Sequence, residues 1–250
     1  MPITAPVRSP LDADRFAIEV ARLSLAPGDR LDLDAPPLDS GAYDLVIARC
    51  AADDGANIAA LEAAGGRLMD VHVSFDRDLA DADADLDPDD EPIDVATAAD
   101  ADAISALCRS AFARSTGHYH ADPRLPADRC TELYADWGRR LAIDPAVTVV
   151  VQRDAGGGII GLATFSLDEP AQQATVALDA VHEDHRGTGT FARLGRQRLA
   201  LARRAGADRI VTAVHLQNVA SCRANERIGF RIASAELTFH IWRRTPEGEL

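Results

Sequence analysis

The 250-residue chain has no lysine, and all 26 of its basic side chains are arginines. A phosphate loop of the Gly-Lys-Ser/Thr kind is therefore excluded. Arginine-only cations together with abundant Ala and Asp suggest a GC-rich coding sequence or adaptation to salt. Cysteine is scarce and scattered: Cys50, Cys108, Cys130 and Cys222 form no C-x-x-C pair, and no histidine stands beside them at metal-ligand spacing. That excludes a structural zinc site and leaves reduced thiols in or near a core. No apolar run approaches the ~20 residues that cross a bilayer. The opening "MPITAPVRSPLDADRF" has no charged-then-apolar leader pattern. A soluble, cytoplasmic protein without metal is expected.

Charge is spread unevenly. Residues 1–92 carry 21 acids against 7 arginines, a balance of −14, whereas residues 93–250 carry 19 of each. Such asymmetry points to two units with different tasks, and the acidic one should repel nucleic acid and anionic membranes. The boundary falls at "DADADLDPDDEP", whose acid density and prolines suit a solvated linker over 81–92. It lacks the glycine and closing glutamate of an EF-hand loop. The expected domains are thus a small acidic α/β unit over 1–80 and a larger one over 93–250.

Periodicity assigns elements within each unit. "AYDLVIARC" and "RLMDVHVSFDRD" read as strands around the capped helix "DDGANIAALEAAGG", a short β-α-β unit, and "RFAIEVARLSL" adds a strand. The larger unit reads β-α-α-β-β-β-α-β-α-β-β. Its last two strands are "FRIASA" and "ELTFHIW", and "GHYHADPRLP" is a loop between its first two helices. No internal repeat is evident.

The informative stretch is "VHEDHRGTGTFARLGRQRLALARRAG", residues 181–206, which follows a strand and enters a helix. Gly187 to Ala192 match G-x-G-x-x-A, but a ribose-binding acid should lie at the carboxyl end of the next strand, and Asp208 lies at its entering end. Polar "HEDHR" also separates the loop from its strand, so a nicotinamide or flavin site is rejected. A pyrophosphate cradle remains: amides from Gly187 to Phe191 precede the first helical hydrogen bonds, and Arg186 adds a forked cation. Most of the helix arginines, Arg193, Arg196, Arg198, Arg203 and Arg204, read as a solvated face.

"RGTGTF" resembles the R/Q-x-x-G-x-G/A loop of the GCN5-related N-acetyltransferases, the GNAT superfamily. Arg186 and Gly189 match, and Phe191 stands where the family has Gly or Ala. "NVASCRANERIGF" is similar to the family's N-x-x-A-x-x-x-Y-x-x-x-G-F segment at Asn218, Gly229 and Phe230. Asn225 stands at the position of the tyrosine that protonates the leaving thiolate. The short N-terminal unit, "GHYHADPRLP" with Trp137 in the next helix, and "FHIW" resemble one branch, the dTDP-fucosamine (dTDP-4-amino-4,6-dideoxygalactose) acetyltransferases.

The resemblance implies a mixed-sheet acyltransferase fold that uses acetyl-CoA (coenzyme A). The cofactor would be held by Val181, Arg186, Gly187, Thr188, Gly189, Thr190, Phe191, Asn218 and Cys222. An N–H near Val181 would polarise the thioester carbonyl. The amine would attack directly in a ternary complex, without an acyl-enzyme. Asp179, His182, Glu183 and His185 are candidate bases. With an amide at 225, Tyr119, His120 or His215 would supply the acid, or the thiolate would leave unassisted. His118, Tyr119, His120 and Arg124 would meet the acceptor, a small-molecule amine on a nucleotide-linked amino sugar. A homodimer is compatible with this reading. Other acceptors (an antibiotic, an amino acid, a protein N-terminus) and a catalytically impaired acyl-CoA-binding module are the alternatives.

Overall fold

The computed structural model of the chain describes residues 5–26, 28–29, 31, 42–79 and 94–244. The acidic segment expected as a linker lies outside the described residues. The N-terminal part runs through β1 (Val7–Arg8), α1 (Pro10–Phe16), β2 (Val20–Leu25), β3 (Leu45–Ala51), α2 (Gly55–Ala63) and β4 (Arg67–Asp78). Its helices start and stop for local reasons. Pro10 sits in the first turn of α1, and Ala17 closes that helix in the left-handed region with its N–H on Ala13 O. Asp54 caps α2 by accepting from Asn57 N at 3.1 Å.

The second part begins with β5 (Asp94–Val95), α3 (Ala101–Phe112), α4 (His118–Ala121), α5 (Ala127–Ile143) and the hairpin β6 (Val147–Arg153) and β7 (Ile159–Asp168). It continues through β8 (Gln173–Thr175), β9 (Asp179–Val181), α6 (Thr190–Arg204), β10 (Arg209–His215), α7 (Val219–Arg227) and β11 (Arg231–Trp242). Three sequence readings change. "GHYH" is a one-turn helix rather than a loop. "QQATVALDAV" is two strands, because its pairing with β7 is interrupted between Thr175 and Asp179 and its pairing with β10 ends there. "FRIASA" and "ELTFHIW" are one strand with irregularities at Ile232/Ser234 and Thr238/Phe239.

All strands join one mixed sheet in the order β1-β2-β3-β11-β4-β10-β8-β7-β6-β5, with β9 beside β7. The N-terminal strands therefore form no sheet of their own. β3-α2-β4 is a β-α-β unit whose two strands are held apart by β11, antiparallel to both. β10-α7-β11 is a second such unit, held apart by β4 in the same way. Each unit fills the gap in the other, so the molecule has an approximate two-fold relation between β11 and β4. The repeat lies in connectivity and not in sequence, which is why no pattern of residues announces it.

Alternation along the strands sorts side chains to two faces. On one face, α2, α6 and α7 cover apolar residues. Val73 and Phe75 of β4 pack with Leu199, Ile210, Ile228 and Phe230. Leu61 of α2 packs on Leu23, Val46 and Phe239. Gly161 lets α6 approach β7 closely, since a Cβ there would stand 2.8 Å from Leu194 Cδ1. The other face, covered by α1, α3, α4 and α5, is apolar where Val20 and Ile47 pack with Phe16, Tyr119 and Leu133, and polar over β11, β4 and β10. The register places Arg49, Thr238 and Asp70 in one row, and Glu236, His72 and His215 in the next.

Candidate active site

The sheet opens at one place. β8 and β10 pair in parallel from Arg209↔Gln173 to Val211↔Thr175. After Val176 donates to Val211 O at 2.9 Å, the chain parts from β10, and β9 resumes the pairing with β7 that β8 began. The buried Thr164 of β7 causes the diversion. Its hydroxyl accepts from Leu178 N at 2.8 Å and Ala177 N at 3.2 Å, and donates to Leu178 O at 2.8 Å. His182 N–H reaches Ile160 O, so by antiparallel alternation the amides of Asp179 and Val181 point away from β7 into the split. Across it, Thr212 to His215 have no strand partner on that side.

The glycine loop lies at the end of this split. Gly187 and Gly189 have φ of 76° and 90°, the left-handed region that side chains resist, and a Cβ on either would meet nothing within 4 Å. Gly189 is the N-cap of α6, and the first bond of the helix is Arg193 N–H to Gly189 O at 3.0 Å. The amides before it are free to receive an anion, which the helix dipole favours. Thr188 Oγ1 donates to His185 O at 2.7 Å and lies 3.0 Å from Thr190 Oγ1, which stiffens the loop. Arg186 spans the split's mouth, donating to Ala111 O at 3.0 Å and Val181 O at 3.3 Å. Phe191 packs into the core behind α6.

Beneath the split, Asp179 is already engaged. Both of its oxygens accept from Arg198 Nη1, at 2.7 and 2.6 Å, and Thr164 N–H adds a third bond at 3.2 Å. Arg198 is fully buried on α6. Its helix arginine is thus a buried tie between α6 and β9, not the solvated cation the sequence suggested. Asp179, expected among the bases, carries that tie. His182 caps a short 3₁₀ turn through Asp184 N, with Glu183 exposed and His185 edge-on to His182.

The residues expected across the acceptor side are committed inside the protein. Tyr119 is buried and donates to Asp12 Oδ1 at 2.7 Å, while Arg22 contacts the same hydroxyl. His118 Nδ1 lies 2.9 Å from His240 Nε2, and His240 Nδ1 lies 2.8 Å from Asp122 Oδ2. Trp242 Nε1 donates to the same oxygen at 2.7 Å, and Arg124 clamps Asp122 and lies over the Trp242 ring. Burial alone would raise the Asp122 carboxyl, but the bonds from His240, Arg124 and Trp242 outweigh it and hold it well below the usual range. Burial holds His118 neutral. This network fastens α4 to the N-terminal strands and to β11. His120 stays half-buried and stacks on Tyr134.

His215 ends β10 at the mouth of the split, and Gly117 of the α4 turn lies against its ring. Burial lowers its pKa, against the pull of Asp70, so the imidazole is held neutral with a nitrogen able to accept. On the same face as His215, Ala213, Val211, Ser74 and Ser234 line a groove of about 330 Å³, with Arg209 and Asp76 paired at its far end. The groove touches Thr175 and Val176, where β8 leaves β10, so it reaches the root of the split.

Three further expectations resolve on α7. Asn218 caps that helix by accepting from Ser221 N at 3.2 Å. Cys222, expected to hold the cofactor, packs against the core behind the sheet, where burial raises its pKa. Asn225 is buried, and its amide donates to Ser221 O at 3.1 Å while Oδ1 has no partner. No general acid stands at that position. The sequence missed Arg49, Asp70 and His72, which lie on strands of the acidic N-terminal unit, where no site residue was expected. Their signal was present only as polar residues alternating within apolar strands.

A family model, "Acetyltransferase (GNAT) domain", matches residues 93–231, more than half of the chain. The chain belongs to the GNAT acetyltransferase family. Its fold agrees with solved members at low identity. A GCN5-related N-acetyltransferase from Sphaerobacter thermophilus superposes with a TM-score of 0.54 at 16% identity, covering 82% of this chain and 62% of that one. A tandem GNAT protein from the clavulanic acid biosynthesis pathway gives 0.52 at 17%, covering 85% and 67%. A functionally unknown conserved protein from Staphylococcus epidermidis gives 0.56 at 12%, covering 82% and 75%. The chain thus spans less than two thirds of the Sphaerobacter protein's length. No functionally curated protein matches it. No helix among the described residues is long and apolar enough to cross a membrane.

Proposed function

We propose that the protein is an acetyl-CoA-dependent N-acetyltransferase acting on a small-molecule amine. The observation that carries this reading is the parting of β9 from β10 beside a glycine loop at the start of α6. The two left-handed glycines leave open space where a phosphate needs close approach to backbone, so the residues present fit the cofactor. Gly187 to Phe191 hold its pyrophosphate, Arg186 fixes the loop, and backbone groups of Asp179, Val181 and Ala213 hold the arm in the split. When bound, acetyl-CoA supplies an activated acyl group that an amine can take up directly.

The chain's own residues then have three tasks. Val181 N–H, aimed into the split, donates to the acyl oxygen. The groove over Ser74 and Ala213 positions the acceptor. His215, neutral and at the junction of groove and split, accepts a proton from the acceptor's amine. The nucleotide-linked amino sugar implied by the resemblance is the first acceptor to try, supported among the expected contacts by the half-buried His120. A soluble cytoplasmic location and a homodimer belong to the same reading. The buried Asn225 favours a second one, an acyl-CoA-binding module without turnover.

Thiol release from acetyl-CoA with a panel of amino sugars, free and nucleotide-linked, diamines and amino acids tests both readings. Amine-dependent release establishes the enzyme, and CoA binding without release with any amine establishes the module.

A further inference from the structure

Ten buried side-chain nitrogens and oxygens among the described residues have no hydrogen bond, and five of them lie in one patch: Asp70 Oδ1 and Oδ2, His72 Nδ1, His120 Nδ1 and His215 Nδ1. Buried polar atoms are almost always paired, so such a concentration marks a place where a polar guest completes the bonding. His72 and His215 are directly opposed on β4 and β10, and Asp70 is two residues along the same face. Gly117 and Tyr134 close the patch from the α4 side.

Asp70 is the decisive member. It is 1% exposed, and although His72 Nε2 lies 3.1 Å from Oδ2, neither carboxylate oxygen has a hydrogen bond of usable direction. Arg49, two strands away, turns its Nε to Thr238 Oγ1 at 3.2 Å. A carboxylate acts only as an acceptor when ionised, so what it lacks is a donor, and a cationic donor most of all. The flanking imidazole nitrogens can accept bonds from a group with several N–H donors.

We propose that Asp70, with His72 and His215, is the seat of the acceptor's primary ammonium group. This rests on the acetyltransferase reading for its purpose and adds the residue that recognises the substrate. An R–NH₃⁺ group would donate to Asp70 and to an imidazole, pass one proton to His215 and so free its lone pair for the acyl carbon, and lose a second proton to the sulfur as CoA leaves as the thiol. The substrate class is a primary alkylamine. Asp70 and His72 come from the N-terminal strand β4, so that part of the chain supplies half of the acceptor site.

Methylammonium chloride, the smallest headgroup of this class, is the probe, with tetramethylammonium and sodium chloride at equal ionic strength as controls. In the full-length protein it should shift the His72 and His215 ring resonances saturably, and the controls should not. Asp70→Asn should weaken that response at least ~10-fold, which is the ~1.4 kcal/mol that a hydrogen bond to a charged group contributes. The same variant should raise the Tm of the ligand-free protein by roughly 2–4 °C, because a buried carboxylate without hydrogen bonds is removed. Absence of a methylammonium response, an unchanged response in Asp70→Asn, or a lowered Tm would each overturn the proposal. CoA titration of the same samples reads the acetyltransferase assignment separately: failure to bind CoA breaks that assignment and leaves the ammonium result to stand or fall alone.

Discussion

The two interlocked β-α-β units share a connectivity and differ in one respect. In the N-terminal one, β2 stays paired with β3 through six successive positions, from Val20↔Leu45 to Leu25↔Cys50. Beside the C-terminal one, β8 stays with β10 through three, and the chain then parts from β10 while keeping to β7. The closed pair lies over an apolar face sealed by Leu61 of α2. The open pair has a hydroxyl, Thr164, that captures the departing backbone, and a buried ion pair that fixes the departed strand. A cofactor groove in this fold is thus a strand pairing that has been interrupted, held open by polar bonds on one side only. The closed unit contributes instead the polar floor on which an acceptor can rest.

The largest expected effect comes from separating the units. Deleting residues 1–92 removes β4 from between β10 and β11, and β3 from the other edge of β11. The remaining fragment should lose cooperative unfolding by circular dichroism. A fragment that folds and unfolds cooperatively would show the second unit to be independent. Next in size is the tie beneath the split. Asp179→Asn leaves Arg198 buried without its counter-charge and should cost about 3 kcal/mol in denaturant unfolding. A variant of unchanged stability that had lost kcat would instead make Asp179 the base.

Acid should weaken the junction between the units. The folded-state pKa of His118 is held well below the ordinary value of ~6.5, so protonation favours the unfolded chain. Its stabilisation is complete above that value and is lost as pH falls below it, by ~1.4 kcal/mol per pH unit for one proton. The unfolding free energy between pH 7 and 5 reads this slope, and His118→Asn should flatten it. The smallest change in stability, within about 0.5 kcal/mol, belongs to Ala213→Leu, since Ala213 is exposed on the groove floor. That variant should raise KM for the amine several-fold.

Local features were legible in the sequence. The glycine loop, the helix it opens and the capped helix α2 follow from residues near one another in the chain. What could not be read was long-range. Nothing in "RLMDVHVSFDRD" says that it inserts between two strands more than 130 residues away, because strand pairing is a tertiary choice. For the same reason "GHYH" looked like an acceptor loop. His118 and Tyr119 have the right chemistry, but their partners, His240 and Asp12, lie at opposite ends of the chain. Arg198 looked like one solvated arginine among several until its helix face was fixed by packing. Asp70 and His72 passed as ordinary strand residues because their meaning depends on His215 standing opposite.

The central claim is that the interrupted pairing and its glycine loop hold acetyl-CoA, and calorimetric titration of CoA into the wild type and Gly189→Val addresses it most directly. At a φ of 90° a β-branched side chain strains the backbone and fills the open space that the phosphate requires. The wild type should bind CoA and the variant at least ~10-fold more weakly, equivalent to about 1.4 kcal/mol. Equal affinity in the two proteins would contradict the assignment.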